Sequence, residues 1–200
     1  MFILIFNNQI FSQEKARQYG ILIDGGTVKS IKGTYSKNFN LKGLVKPGTS
    51  INVGIRMKVN KNYSVDFYIS NCWMNYRDEW KSEPGKNPSF AVTGLNFENN
   101  YYFINRRFKL KILFGPGIYY WRFTKDGPFG NIQIFEEEKF RKMSIGGNIG
   151  AGVELEINEI LNFSITTRYH YILSKDRFFF GDYFSEQGIL DIRAGILYYF

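Results

Sequence analysis

Histidine and cysteine commonly bind metals or take part in nucleophilic catalysis, and this chain of 200 residues has one of each, His170 and Cys72. A structural zinc site needs about four such ligands, and a catalytic pair needs a nucleophile close to a base. His170 lies between Tyr169 and Tyr171 with no serine beside it, which favours a histidine held in a polar network. We therefore predict no catalytic residue, no metal site and no cofactor.

One glycine-rich segment, GGNIGAG at residues 146–152, looks at first like a phosphate-binding loop. Loops of that kind follow the spacing G-x-G-x-x-G and lead directly into a helix. Here the glycines are out of that register, and the residues that follow do not have the pattern of a helix. We therefore predict no nucleotide site in this segment.

The composition favours β-strands within a single domain. Aromatic residues make up 18% of the chain, and aromatic side chains are enriched in strands. The formal net charge of +8 is compatible with a nucleic acid, with an anionic membrane surface, or with solubility alone. The single cysteine excludes a disulfide framework.

Polar and apolar residues alternate over unusually long segments. In residues 143–157 every odd position is apolar or glycine, whereas the even positions are serine, glycine, asparagine and glutamate. Segments 51–59 and 161–173 alternate in the same way. Because an average strand has only about five or six residues, this pattern indicates long strands with one apolar face each.

The pattern predicts eight strands, at residues 19–30, 49–60, 63–75, 89–104, 108–122, 141–157, 161–174 and 187–200. The links between them alternate in length. Very short turns join the second strand to the third, the fourth to the fifth and the sixth to the seventh, whereas the other links are long. Short turns at one end and long loops at the other are typical of an up-and-down barrel that crosses the outer membrane.

Soluble barrels also alternate, with the apolar face inward, so the polar face must decide between the two arrangements. In the sixth predicted strand this face is mostly Ser, Gly and Asn, which fits a narrow lumen better than a solvated surface. The predicted lumen charges are also matched in sign, as a water-poor interior requires. The expected lumen network comprises Asp24, Arg56, Lys58, Asp66, Glu98, Lys109, Lys111, Glu154, Glu156, Arg168, His170, Asp191 and Arg193.

Aromatic residues cluster near both ends of the predicted strands, as expected where rings lie at the boundary between lipid and water. We expect two lipid-facing girdles, with the aromatic core of a β-sandwich as the alternative. The group beside the short turns is Tyr63, Tyr101, Tyr102, Phe103 and Phe108, and the group toward the long loops is Tyr68, Trp73, Tyr119, Tyr120, Trp121 and Phe123.

The last eight residues, RAGILYYF, alternate up to a terminal phenylalanine. Arg193, Gly195, Tyr198 and Phe200 resemble the C-terminal assembly signal of outer-membrane proteins, which implies recognition by the outer-membrane insertion machinery. Residues 114–120, FGPGIYY, resemble a glycine-rich aromatic stretch of the same proteins. The chain as a whole resembles the "porin family" of outer-membrane barrel domains, related in shape to OmpA and OmpX.

The resemblance implies an all-β fold, a closed eight-stranded antiparallel up-and-down transmembrane β-barrel in the bacterial outer membrane. No catalytic motif carries over, because the family shares none. Side chains fill the interior of a barrel of this size, so the family label implies no aqueous channel. Pro116 cannot donate a ladder hydrogen bond, and we expect a β-bulge at that position.

We expect an integral outer-membrane protein with a structural, adhesive or surface-interaction role and no catalysis. Two other interpretations stay open: a membrane-embedded enzyme that modifies lipid A through His170, and a soluble lipocalin-like barrel that binds a hydrophobic ligand. The expected partners are outer-membrane lipid, lipopolysaccharide and the insertion machinery, with no nucleic acid, and the barrel is expected to be a monomer. The basic first long loop predicts lipopolysaccharide contacts through Lys32, Lys37, Lys42 and Lys46, with a solvated loop that merely happens to be basic as the alternative.

Residues 1–14 begin with a short apolar stretch that soon turns polar, which predicts the remnant of a signal peptide, with a buried first strand as the alternative. Residues 15–200 are predicted to form the barrel domain. The aromatic segment 178–184, FFFGDYF, falls in the last long loop. We interpret it as an extension of the strand, with a partner-binding patch as the alternative.

Overall fold

The computed structural model describes residues 19–36, 39–135, 137–174 and 186–200. The predicted signal segment 1–14, Lys37 and the aromatic segment 178–184 lie outside these ranges. Long strands make up most of the described chain: β1 (Tyr19–Lys32), β2 (Gly48–Asn60), β3 (Tyr63–Asn75), β4 (Ser89–Asn105), β5 (Phe108–Thr124), β6 (Arg141–Asn158), β7 (Leu161–Ile172) and β8 (Gln187–Tyr199).

These eight strands join into one closed barrel, in which strands adjacent in the chain are adjacent in the sheet. The first and last strands close the barrel, with a register that runs from Gly20↔Tyr199 to Lys32↔Gly188. Phe200 lies beside this seam, and its backbone N–H donates to the carbonyl oxygen of Tyr19 at 3.0 Å. The predicted antiparallel up-and-down β-barrel is confirmed, and the predicted strands match the observed ones closely.

Apolar side chains cover the outside of the barrel, and polar side chains fill the inside. Along β6 the odd-numbered residues face outward, so that Ile149 is 62% exposed whereas Glu154 is fully buried. Half-exposed residues such as Ile23, Val53 and Ile192 continue this apolar belt on other strands. Hydrocarbon is the environment that such a belt requires. The arrangement contradicts the interpretation of the chain as a soluble barrel with an apolar interior.

The structure corrects the prediction of a β-bulge at Pro116. On one side, Pro116 pairs with Gly147 of β6 in an uninterrupted register. On the other side, the register with β4 runs from Asn96↔Gly117 to Asn99↔Phe114 with the same offset, so no residue is inserted. The pairing between β4 and β5 is interrupted for two positions at Pro116, which has no N–H group to donate. Since the register is unchanged, the same side chains still face the lipid.

The assignment of the aromatic girdles is also partly wrong. Tyr68, Tyr102, Tyr119, Trp121 and Phe123 point into the lumen and are buried. Neighbouring residues of a strand face opposite sides of the sheet, so only one residue of each adjacent pair can meet lipid. The outward-facing members of the two predicted groups are Tyr63, Tyr101, Phe103 and Phe108 near the short turns, with Trp73 and Tyr120 near the long loops.

Short elements occupy the long loops at one end of the barrel. No helix among the described residues is long and apolar enough to cross a bilayer. We refer to residues 33–47, 76–88 and 125–140 as the first, second and third long loops. They contain a hairpin of Thr34–Ser36 and Phe39–Asn40, a helical turn at Leu41–Leu44, a 3-10 turn at Asp78–Trp80, and a hairpin of Ile134–Phe135 and Glu138–Lys139.

Two isoleucines with the same exposure test the assignment of the apolar belt. Ile149, near the middle of β6, is 62% exposed, and Ile134, in the third long loop, is 61% exposed. We expect Ile149→Lys to lower the free energy of unfolding in lipid vesicles by about 2–4 kcal/mol, the usual effect of a cation near the bilayer midplane. Ile134→Lys should change it by less than about 0.5 kcal/mol, as is usual at a solvated surface. Equal effects in denaturant titrations of the two variants would contradict the assignment.

Candidate functional site

Buried ionic residues cross the lumen in layers. The layer nearest the short turns centres on Arg56, whose Nε and Nη2 atoms donate to the two carboxylate oxygens of Asp66, both at 2.6 Å. The Nη1 atom donates to Glu154 Oε1 at 2.5 Å and to the hydroxyl of Tyr102 at 2.8 Å. Lys111 Nζ lies 2.7 Å from the same oxygen of Glu154. The layer therefore ties together β2, β3, β4, β5 and β6 across the interior.

A second layer joins β4 to β7. Arg168 donates through Nε and Nη2 to the two oxygens of Glu98, at 2.8 and 3.2 Å. The hydroxyl of Tyr68 also donates to Glu98, at 3.2 Å, and the Tyr68 ring lies 5.4 Å from the guanidinium carbon of Arg168. Since all three side chains are buried, the two-point ion pair replaces the hydration that both charges lose.

A third group of polar contacts lies beside the seam of the barrel. Arg193 pairs with Asp191 on β8, and its guanidinium lies 3.8 Å from Asp24 on β1. Asn52 donates to Asp24 at 2.5 Å, and Ser50 donates to Asp191 at 2.9 Å. These contacts connect β8 to β1 and β2, so the seam is held by side chains as well as by the ladder.

Looser pairs lie at the rim beside the short turns. Lys109 Nζ is 2.9 Å from a carboxylate oxygen of Glu156, whose side chain is 41% exposed. Lys58 Nζ lies 3.6 Å from the centre of the Tyr199 ring. The structure thus places every charged residue of the predicted lumen network on the inner face, with Lys58 and Glu156 at its partly exposed edge.

His170 is buried in the lumen on the side of these layers that faces the long loops. Its Nδ1 atom is 3.1 Å from the hydroxyl of Tyr119, and its Nε2 atom is 3.6 Å from Asp191. The small cavity that His170 lines together with Cys72 has a volume of about 10 Å³, room for about one water molecule. Within the described ranges, no group of three or more His, Cys, Asp or Glu residues could hold a metal ion. The contacts of His170 are those of a member of the polar network.

An apolar cluster, which sequence reasoning missed, closes the lumen at the long-loop end. Trp121 and Phe123 pack edge to face with 6.3 Å between ring centres, and Phe123 stacks on Phe140 at 4.3 Å. Leu41 and Leu44 are buried in the same cluster, and their spacing was a usable signal because it places both on one face of a helical turn. We term this cluster the lumen cap; its other members are Val28, Val45, Met74, Tyr76, Phe90, Val92, Tyr119, Ile172 and Ile189.

Hydrogen bonds fasten the three long loops to one another above the lumen cap. The backbone N–H of Arg77 in the second loop donates to the carbonyl of Leu44 in the first loop at 2.9 Å. The N–H of Gly127 in the third loop donates to the carbonyl of Asn87 at 2.7 Å, and the N–H of Asn87 donates to Asp126 at 3.0 Å. The described parts of these loops therefore form one connected surface.

The structure separates the four lysines predicted to contact lipopolysaccharide. Lys46 Nζ lies 3.1 Å from Asp78 of the second loop, and Lys81 Nζ lies 2.8 Å from the same carboxylate. Hydrogen bonds from Lys81 and Lys46 hold the pKa of Asp78 below its usual value. Of the other three, Lys42 is exposed, Lys32 Nζ lies 5.3 Å from the centre of the Tyr171 ring, and Lys37 is outside the described residues.

The residues of the predicted assembly signal divide between the two faces of the barrel. Tyr198 and Phe200 are about half exposed on the outside, whereas Arg193 and Gly195 face the lumen. At Gly195 the neighbouring strand β1 lies too close for a side chain. A Cβ atom at this position would lie 2.3 Å from the Cβ atom of Asp24, so only glycine fits without a shift of the backbone. The alternation of the last strand therefore continues to the final residue.

No family model and no curated protein matches this chain. Solved structures do match it. Neisserial surface protein A, NspA, aligns with a TM-score of 0.62 and 14% identity over 91% of this chain and 97% of that chain. AlkL, an outer-membrane protein solved by solid-state NMR in lipid bilayers, aligns with a TM-score of 0.53 and 15% identity over 97% of this chain and 95% of that one.

OprG, an outer-membrane protein of Pseudomonas aeruginosa, aligns with a TM-score of 0.51 and 13% identity over 92% of this chain and 97% of that chain. The chain has the fold of an outer-membrane β-barrel. The resemblance stated from the sequence is therefore confirmed for the fold. Because the identities are low, the role of the barrel must be argued from its own residues.

Two glutamates on the same strand test how strongly the lumen depends on its ion pairs. Glu154 is buried between Arg56 and Lys111, whereas Glu156 pairs with Lys109 at the exposed rim. Glu154→Gln leaves buried cations without their carboxylate and should lower the free energy of unfolding by about 3–5 kcal/mol. Glu156→Gln should lower it by less than about 1 kcal/mol, because rim charges stay hydrated. Denaturant unfolding in vesicles measures both values, and comparable losses would show that the inner layer is not the stabilising one.

Proposed function

We propose that this chain is an integral outer-membrane β-barrel protein that acts through its surface, with a structural or adhesive role and without catalysis. The observation that supports the proposal is the contrast between its two faces. The outside carries an apolar belt that only lipid can cover, while the inside is filled by ion pairs and by the lumen cap. Because the interior is filled, it leaves no room for a ligand or a solute. Partners are therefore expected to contact the long loops or the lipid-facing wall.

The ordered layers of the lumen argue against a role in solute passage. Arg56 and Glu154 meet in the interior at 2.5 Å, and Arg168 meets Glu98 at 2.8 Å. The lumen cap then covers the end that carries the long loops. A solute would have to separate buried ion pairs, which is strongly unfavourable in a water-poor interior.

The connected long loops present apolar side chains to water. Phe129 of the third loop is 83% exposed, Ile134 is 61% exposed, and Trp80 of the second loop is 39% exposed. Exposed apolar side chains are suited to contacts with another macromolecule. Because hydrogen bonds already hold these loops together, binding would cost little further conformational entropy. This favours a surface-interaction role over a purely structural one.

The proposed partners are the lipid and lipopolysaccharide of the outer membrane, the insertion machinery that reads β8, and no nucleic acid. We propose the monomer as the functional unit, because a closed barrel leaves no strand edge for pairing between copies. Of the three predicted lipopolysaccharide contacts that the structure describes, Lys32 and Lys42 are exposed.

Fractionation and permeability measurements test the location and the closed lumen together. We expect the full chain in the outer-membrane fraction, with heat-modifiable migration on a gel, and no swelling of vesicles that contain it when sucrose is added. A sixteen-stranded porin in matched vesicles provides the positive control, since barrels of that size hold an aqueous channel. Recovery as a soluble protein would overturn the location, and sucrose entry would overturn the closed lumen.

Lipid A composition tests the proposed lack of catalysis. An enzyme that used His170 would change the acyl chains of lipid A in cells that express the chain, and His170→Ala would abolish the change. We expect mass spectra of lipid A to be identical in cells that express the wild-type chain, the His170→Ala variant or neither. A change that appears only with the wild-type chain would establish the enzymatic alternative.

A further inference from the structure

Two arginines lie directly opposite each other on the outer wall of the barrel. Arg122 of β5 and Arg141 of β6 are register partners at the ends of their strands nearest the third long loop. Arg141 is exposed and Arg122 is half-buried. Side chains in such a pair begin about 5 Å apart, and like charges placed this way repel each other. The arrangement therefore invites an anion between the two guanidinium groups.

Neighbouring groups hold both guanidiniums against one tyrosine. Arg141 Nη1 donates to the hydroxyl of Tyr120 at 3.2 Å, and the guanidinium carbon of Arg122 lies 5.5 Å from the centre of the same ring. Arg122 also donates to the carbonyl oxygen of Pro128 at 3.1 Å and to Thr93 Oγ1 at 3.4 Å. These contacts fix the direction of the two side chains but supply no negative charge.

No carboxylate neutralises the pair within the described part of the chain. The ion pairs formed there involve neither Arg122 nor Arg141, whereas Lys46 in the first loop and Lys81 and Lys86 in the second loop each have an acidic partner. Among the residues that the structure describes, the two arginines are therefore an ordered pair of adjacent positive charges on the long-loop side of the barrel wall that no carboxylate compensates.

The pair stands at the upper edge of the apolar belt. Met143 pairs with Tyr120, and Ile145 pairs with Ile118, one and two steps further along the same face. Met143 and Ile145 are each 65% exposed, so hydrocarbon lies directly below the arginines. A ligand that contacts both the arginine pair and the apolar belt would need an anionic head group with apolar chains attached to it.

We propose that Arg122 and Arg141, with Tyr120 between them, bind a phosphate group of the phosphorylated glycolipid in the outer leaflet. A phosphate monoester carries up to two negative charges and several acceptor oxygens, which match two planar guanidinium groups. The inference rests on the proposed membrane location and deepens it, because it assigns the lipopolysaccharide contact to a site on the wall. The site is distinct from the lysines of the first long loop.

Binding of lipid A to the folded full chain in detergent micelles, followed by native mass spectrometry, tests this site. The probes are lipid A with its phosphates, the same lipid after dephosphorylation, phosphatidylglycerol and inorganic phosphate. Arg122→Gln combined with Arg141→Gln should weaken binding of phosphorylated lipid A about thirtyfold, from the usual contribution of two basic residues at an anionic leaflet. The dephosphorylated lipid should bind the wild-type chain and this variant equally.

The chain provides a control that is matched in residue type and in charge. Arg106 and Arg107 are adjacent and exposed in the short turn between β4 and β5, at the opposite end of the barrel. Changing both to Gln should alter lipid A binding by less than about twofold, because these arginines lie at the opposite end of the barrel from the proposed site. Arg122→Lys combined with Arg141→Lys should retain part of the binding, since the charge remains but the two-point geometry is lost.

The possible outcomes separate a failure of the proposed phosphate site from a failure of the proposed membrane location. An equal loss in the Arg106/Arg107 control, or a loss that also affects dephosphorylated lipid A, would overturn the phosphate site. Equal affinity for inorganic phosphate or phosphatidylglycerol would overturn the assignment to the glycolipid. Heat-modifiable migration of every variant shows that the barrel is folded, and Arg141→Gln alone replaces the double variant if that fails to fold. A wild-type chain that is never inserted would instead contradict the proposed location.

Discussion

The whole structure depends on the pairing of backbone groups in a medium that offers them no partner. In hydrocarbon, a free N–H or C=O group is strongly unfavourable, so a membrane-spanning sheet must close on itself. Pairing of β1 with β8 achieves this closure. Once the sheet is closed, each strand has one face toward lipid and one toward a narrow interior. The alternation of apolar and polar residues along each strand follows from that geometry.

Closure with eight strands leaves an interior that side chains must fill. Most ionic groups that face this interior lose water, so they need partners within reach. Arg56 meets Asp66 on the adjacent strand and Glu154 across the lumen, and Arg168 reaches Glu98 in the same way. Because a one-residue slip of a strand would turn these charges toward lipid, the same network also favours a single register.

The two ends of the barrel differ in chemistry, and this difference bears on function. At the short-turn end, Lys109 and Glu156 form a partly hydrated pair at the rim. At the other end, the lumen cap closes the interior, and loops fastened to one another carry Phe129 into solvent. Arg122 and Arg141 add an ordered positive charge where the wall leaves the apolar belt. The features suited to recognition, which are the exposed apolar loop residues and the arginine pair, therefore lie at the long-loop end of the barrel and on its outer wall.

The strands, the apolar belt and the matched charges of the interior could all be predicted from the sequence, because alternation is a local property of each strand and needs no knowledge of distant contacts. The same alternation also separates Tyr119, which faces the lumen, from Tyr120, which faces the lipid. The face on which each aromatic residue lies is therefore a local property as well. The pairing of Glu154 with Arg56, 98 residues away, and of Asp78 with Lys46, 32 residues away, is visible only in the folded barrel. The same holds for Leu41 and Leu44, which fold back to close the lumen. Such contacts depend on the diameter of the barrel and on the path of its loops, which bring distant residues together without leaving a local pattern.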